Sequence, residues 1–326
     1  MKMEAKMSEK IRYLHAYGDR KIVFSEIDKP SCPDNGVLVK TIMTGVCRSD
    51  VAQYLGDEKG VPFGMFGHEG LGEVVEIGKD CHKPGLKIGS IVSTWSDPAY
   101  ADYYPAKMNE FVIVPEADPK YILQPVACAI NILMQTIKFM ERMNLEGEEI
   151  LLLGTGFMST IIGDAAKARG IDMTVVGRAN TEKWDSLGFK RYDTSAELCD
   201  EIKNKTRKNF SVVIDLSSKE ENFYAISETL AGDEALICYA GTPMSDVKTN
   251  FFANCWKCHT LIMPSPRNRD FNDSMAESAK LIEEGVLDTE KLWTCGYTRD
   301  VEADVIQAFE DGSERTPDYI RGYIVW

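Results

Sequence analysis

At 326 residues, with 44% hydrophobic and 27% charged positions, the chain is long enough to bury a sizeable core and reads as two globular domains. A formal net charge of −14 argues against nucleic acid or an anionic membrane surface as a partner. No run approaches a membrane span, and the charged opening MKMEAKMSEK has no apolar core of a secretory signal. Nine cysteines, an odd number without such a signal, point to reduced thiols and a cytoplasmic protein, most of them buried as small hydrophobes.

In chain order, residues 10–125 are dense in β-type runs broken by Gly and Pro: KIVFSEI, GVLVKTIM, GEVVEIG, GSIVSTW and EFVIVP. Short strands between turn signals predict a mostly antiparallel, barrel-like domain. From about Ala127 the texture changes. Apolar runs (EEILLLG, DMTVVG, SVVIDLS, EALICYAG) alternate with helical stretches at DAAKARG, 182–187 and 220–230. That alternation predicts an α/β unit with a parallel, doubly wound sheet. Beyond Pro266 come helices at 274–284 and 301–309 and a final strand-like YIRGYIVW.

Two short motifs carry candidate chemistry in the first region. GVCRSD (45–50) supplies Cys47, and GHEGLGEVVEIG (67–78) supplies His68 and Glu69. Cys, His and Glu are the ligand types of a catalytic zinc. The chain has only four histidines, and this one sits between glycines at a turn feeding a strand. In the second region, ILLLGTGFMSTIIGDAAKARG joins a strand to a helix, the context of a dinucleotide fingerprint. Gly154 makes the tight turn, and Gly156 lets the backbone approach a pyrophosphate at the helix N-terminus. Ser159 replaces the third glycine. The next strand, DMTVVG, ends at Gly177, where an acid would accept from the ribose hydroxyl of NAD; the acid is missing and Arg178 follows. A guanidinium without a carboxylate suits a 2′-phosphate, so the expectation is NADP(H), with NAD(H) less favoured and Lys183 a second candidate contact.

Together with FVIVPE (111–116), VVIDLSS (212–218) and ALICYAGTP (235–243), these motifs resemble the zinc-dependent alcohol and polyol dehydrogenases of the medium-chain dehydrogenase/reductase superfamily. The resemblance runs in order from about residue 20 to the C-terminus. It implies a GroES-like β-barrel catalytic domain of residues 1–127 and 267–326 and a Rossmann domain of residues 128–266. It implies Cys47 and His68 as zinc ligands and Glu69 as a ligand or close neighbour. For the remaining ligand, polyol-type members use the glutamate of an E-P pair, which here reads Gln124-Pro125. Alcohol-type members use a cysteine a few residues on, which here is Cys128, the favoured choice. Ser49 matches the hydroxyl beside the substrate oxygen, Asp50 a carboxylate supporting the ligands, and Arg48 a contact to the cofactor pyrophosphate. The relay histidine of some members is absent from Val51-Ala52-Gln53, leaving water, the cofactor ribose or Tyr54 as proton acceptor. The four-cysteine lobe is absent from STWSDPAYADYYPAKMNE, so one catalytic zinc and no structural zinc is expected.

The implied activity is hydride transfer between NADP(H) and an alcohol or carbonyl. The tail AFEDGSERTPDYIRGYIVW resembles ribulose-5-phosphate reductases of the same superfamily, so a polyol, ketose or sugar phosphate is the candidate class. Arg267 and Arg269 are either anion contacts or solvated surface. The aromatic group Trp95, Tyr100, Tyr103 and Tyr104 either lines a substrate cleft or packs the shortened lobe. Cys255-Trp256-Lys257-Cys258-His259 spells a haem-attachment string but reads as structural. A homodimer or homotetramer is expected. Competing readings are a zinc-free quinone or enone reductase and a non-catalytic NADP(H)-binding sensor.

Overall fold

The computed structural model describes residues 9–56, 64–243, 246–264, 268–314, 316 and 318–326. Backbone contacts divide the chain into two compact units, Met1–Pro125 with Thr289–Trp326, and Val126–Asp288.

The first unit begins with β1 (Lys10–Gly18), β2 (Lys21–Asp28) and β3 (Gly36–Gly45), followed by helix α1 (Arg48–Leu55). Short strands follow: β4 (Gly64–Met65), β5 (Gly70–Ile77), β6 (Ile91–Thr94), β7 (Tyr103–Lys107) and β8 (Phe111–Ile113). Every pairing among these strands is antiparallel, as the turn-punctuated sequence predicts. Alternating valines of β3 and β5, with Val92, Tyr104 and Phe111, fill one core. The division between units falls inside α2 (Leu123–Met143).

The second unit is a six-stranded parallel sheet of order β11-β10-β9-β12-β13-β14. Its strands are β9 (Ile150–Leu153), β10 (Met173–Val176), β11 (Lys190–Tyr192), β12 (Phe210–Asp215), β13 (Ala231–Tyr239) and β14 (Thr260–Ile262). Every residue of β9 and β10 is buried, which is why they read as unbroken apolar runs rather than alternation. The order reverses between β9 and β12, the place where doubly wound sheets bind ligands. The connecting helices are α3 (Phe157–Ala168), α4 (Thr181–Leu187), α5 (Ser195–Lys203), α6 (Glu220–Ala225), α7 (Phe251–Trp256) and α8 (Phe271–Glu283). The expected helix at 220–230 is α6 closed by a π turn over Ile226–Leu230. α8 groups with this unit, whereas the sequence reading returns the chain to the first unit at 267.

The tail then completes the first unit with β15 (Cys295–Thr298), α9 (Glu302–Glu314) and β16 (Gly322–Val325). β16 pairs with β3 around Tyr323 and Gly45. α9 and α1 close over a second core containing Val51, Tyr54, Phe66, Tyr100, Phe309 and Ile324.

Candidate metal centre and nucleotide motif

The metal candidates meet because β3 and β5 pair. Thr44 lies opposite Gly70, and the Gly45 N–H donates to the Glu69 carbonyl at 3.0 Å. The chain leaves β3 at Gly45, and Cys47 caps α1 in extended conformation. His68 and Glu69 stand at the entrance to β5. The ligand atoms of Cys47, His68 and Glu69 lie within 4.8 Å of one another, the group of this kind among the described residues. Glycines make the approach possible. A β-carbon at Gly45 would come 2.3 Å from Glu69 Oε2, and one at Gly67 (φ +96°) would strike the Tyr100 ring at 2.4 Å.

Around this group the polar contacts are buried and come from distant segments. Asp50, fully buried at the third position of α1, accepts from the Cys47 N–H at 3.1 Å and from the Tyr100 hydroxyl at 3.1 Å. Its Oδ1 faces His68 Nδ1 at 3.6 Å. The Tyr100 hydroxyl also lies 2.8 Å from the Gly45 carbonyl. Arg321 of the tail donates to Glu69 Oε1. Burial pushes the Asp50 carboxyl up to about 6, against the pull of His68. Burial opposes charge on His68, but Cys47, Asp50 and Glu69 outweigh it and raise its pKa. Burial, then the Asp50 and Glu69 charges, keeps the Tyr100 phenol protonated.

Two buried carboxylate oxygens of this cluster, Glu69 Oε2 and Asp50 Oδ1, have no hydrogen-bond partner among the described residues. A buried acceptor without a partner costs on the order of 1–3 kcal/mol, more when charged. Glu69 Oε2 belongs to a soft-and-hard S, N, O donor set, so a bound zinc ion would satisfy it and fits the residues present. Ser49, half-buried on the first turn of α1, has no hydrogen bond among the described residues, and Arg48 beside it is exposed. Cys128 is not in the three-residue group; it is half-buried on α2 in the second unit, while Gln124 is buried at the start of that helix. Tyr54 turns its hydroxyl to Glu310 of α9.

In the second unit, Gly154 has φ +118° and Gly156 caps α3. Among the described residues nothing lies within 4 Å of where a β-carbon on Gly156 would stand, so the backbone there is open to a ligand. Ser159 is buried, its Oγ 3.2 Å from a β-carbon position on Gly154, which shows why a small residue serves as the third of the set. Gly177 directly follows β10 and Arg178 is exposed. Lys183 pairs with buried Asp164 at 2.7 Å.

Of the aromatic group, Tyr100 and Tyr104 are fully buried, Tyr104 against Thr94 at 2.8 Å, so these two pack the first unit. In the haem-like string, His259 is engaged through both ring nitrogens, to Asn254 at 2.8 Å and the Gly232 carbonyl at 2.9 Å. Arg267 lies outside the described residues, and Arg269 is exposed. Sequence reasoning missed Tyr100 as the clamp on Asp50 and Arg321 as the partner of Glu69. Their partners lie 50 and 252 positions away, beyond any local signal.

Residues 33–117 match the family model described as the alcohol dehydrogenase GroES-like domain. The chain is 26% identical to L-threonine 3-dehydrogenase of Vibrio parahaemolyticus over 324 aligned residues, covering 86% of this chain and 90% of the relative. Among solved structures, galactitol-1-phosphate dehydrogenase of Escherichia coli superposes with a TM-score of 0.76 at 16% identity, covering 97% of this chain and 100% of that one. The 2R,3R-butanediol dehydrogenase of Bacillus subtilis gives 0.74 at 18%, covering 97% and 99%.

Proposed function

We propose that the chain is a zinc-dependent oxidoreductase of the medium-chain dehydrogenase/reductase superfamily, moving hydride between NADP(H) and an alcohol or carbonyl substrate. Polyols, ketoses and sugar phosphates are the first classes to screen, in line with the relatives that act on galactitol-1-phosphate and butanediol.

In this reading Cys47, His68 and Glu69 hold the zinc. When bound, the metal would supply a Lewis acid for the substrate oxygen, and a nicotinamide cofactor would supply or accept the hydride. The chain's own residues position and relay. Asp50 orients His68 and fixes the first turn of α1, and Tyr100 fixes Asp50. Ser49 Oγ accepts the substrate proton during oxidation as its own hydroxyl proton passes on to water, the cofactor ribose or Tyr54, and the same relay runs in reverse during reduction. Gly154, Gly156 and Ser159 admit the pyrophosphate, with Arg48 as its additional charge contact. Gly177 and Arg178 favour the 2′-phosphate. Cys128 keeps, on sequence grounds, the place of a further ligand.

The observation that carries this reading is Glu69 Oε2, a buried oxygen without a partner inside a Cys-His-Glu group. The test is turnover with NADPH over a carbonyl panel, for the wild type and Cys47→Ser. Zinc-dependent turnover lost in the variant, with NADPH still bound, supports it. NADPH binding without turnover on any carbonyl favours the sensor reading, and full turnover in Cys47→Ser favours the zinc-free reductase.

We further infer a homo-oligomer and a cytoplasmic location. β14 ends the order of the parallel sheet, and Phe251, Phe252, Trp256 and Met263 nearby in sequence are all at least 66% exposed. An open strand edge with apolar side chains favours pairing with a second copy. None of the nine cysteines forms a disulfide, which suits a reducing compartment.

A further inference from the structure

Thr155 lies between the two glycines of the fingerprint turn and has no part in the chemistry above. It is 5% exposed. Three groups from the segment after β10 converge on it. The Ala179 N–H donates to Thr155 Oγ1 at 3.0 Å, and Asn180 Nδ2 donates to the Thr155 carbonyl at 2.9 Å. Trp184 Nε1 reaches the same carbonyl at 3.4 Å. The loop that carries Arg178 is therefore tied to the turn that would meet the pyrophosphate.

Thr155 also fills the space beside Gly177. That glycine has φ +156°, and a β-carbon on it would stand 2.5 Å from Thr155 Oγ1 and 2.7 Å from Cγ2. Real β-carbons do not approach so closely, and the backbone conformation itself favours glycine. A carboxylate at 177, the group that would accept from a free ribose 2′-hydroxyl, is excluded while Thr155 is in place. Arg178 meanwhile stays exposed and makes no hydrogen bond or ion pair among the described residues, whereas Lys183 is taken by Asp164.

We infer that Thr155 is a specificity-determining positioning residue: it bars an acid from position 177 and holds the 177–180 loop so that Arg178 meets a 2′-phosphate. This rests on the NADP(H) reading above. Thr155 touches the loop rather than the phosphate, so its effect is read as a ratio between ligands that differ only in the 2′ group.

The probes are adenosine 2′,5′-bisphosphate and AMP, titrated calorimetrically against the full chain. The wild type is expected to bind the bisphosphate more tightly. Thr155→Val keeps the side-chain shape but leaves the Ala179 N–H without its acceptor. It is expected to reduce the bisphosphate-to-AMP preference by up to about tenfold, the scale of one lost hydrogen bond, with AMP affinity little changed. Thr155→Ser keeps the acceptor oxygen and is expected to keep the preference. If Thr155→Val fails to fold, Thr155→Ala takes its place. An unchanged ratio in a folded Val or Ala variant overturns the inference, as does an equal loss of both ligands, which marks a purely structural role. Equal binding of both probes by the wild type instead overturns the NADP(H) reading itself and removes the premise.

Discussion

The candidate metal centre and the candidate nucleotide turn are built in opposite ways. The turn is local: Gly154, Thr155, Ser159, Gly177, Ala179 and Trp184 lie within about thirty residues, and backbone geometry does most of the shaping. The metal centre gathers residues from β3, the start of β5, Tyr100 and the C-terminal tail, and side-chain charge does the shaping. A site made by local backbone tolerates changes that keep the turn. A site made by converging buried charges fails when one member is removed, because its partner is left uncompensated.

That contrast orders the expected effects. The largest belongs to Cys47→Ser. Losing Lewis-acid stabilisation of several kcal/mol is expected to lower kcat/KM by about a thousandfold or more, while the Kd for NADPH holds. Steady-state kinetics beside cofactor titration checks it; loss of both together would mean the variant has damaged the fold instead. Next, Asp50→Asn removes the buried charge that faces His68 and is expected to cost about 10–100-fold in zinc affinity or activity. An active variant with normal zinc retention would deny Asp50 its supporting role. Tyr100→Phe removes hydrogen bonds to Asp50 and the Gly45 carbonyl and is expected to cost about 1–3 kcal/mol of stability by denaturant titration.

In the nucleotide turn the effects are smaller and selective. Arg178→Asp is expected to move preference from NADPH toward NADH without abolishing turnover; an unchanged NADPH Kd would remove Arg178 from the site. Gly177→Asp, by contrast, is expected to lower the melting temperature rather than recruit NADH, because its β-carbon meets Thr155. The smallest effect is a pH dependence outside both sites. Burial lowers the pKa of His259 in the folded chain below its ordinary 6.5. The unfolded chain then takes up the proton first, so this contribution is present above pH 6.5 and is lost as pH falls through the folded value. Melting curves of wild type and His259→Asn across that window should converge on the acid side.

The same contrast explains what the sequence discloses. Strand periodicity, the glycine turn and the missing acid at Gly177 are local patterns, and the antiparallel and parallel units are legible from them. Cys47, His68 and Glu69 are legible as ligand types beside turns, and β3–β5 pairing brings them together. Tyr100 reads only as one of several aromatics, and Arg321 as an unremarked cation in a strand. Nothing local ties either to a carboxylate 50 or 252 positions distant. Thr155 is hidden for another reason: its role depends on a β-carbon that is missing at Gly177, which only three-dimensional packing reveals. α9 runs to Glu314, past the expected Phe309, because its last turn is polar and gives no apolar signal.

The most direct test of the central claim is zinc content on protein purified without chelator or metal-affinity tag, measured for wild type and Cys47→Ser side by side. The account predicts about one zinc per wild-type chain, as a single catalytic site requires, and its loss from the variant. Wild-type protein that binds no zinc even when zinc is supplied, or a variant that retains it fully, would contradict the assignment of Cys47, His68 and Glu69 as the metal centre.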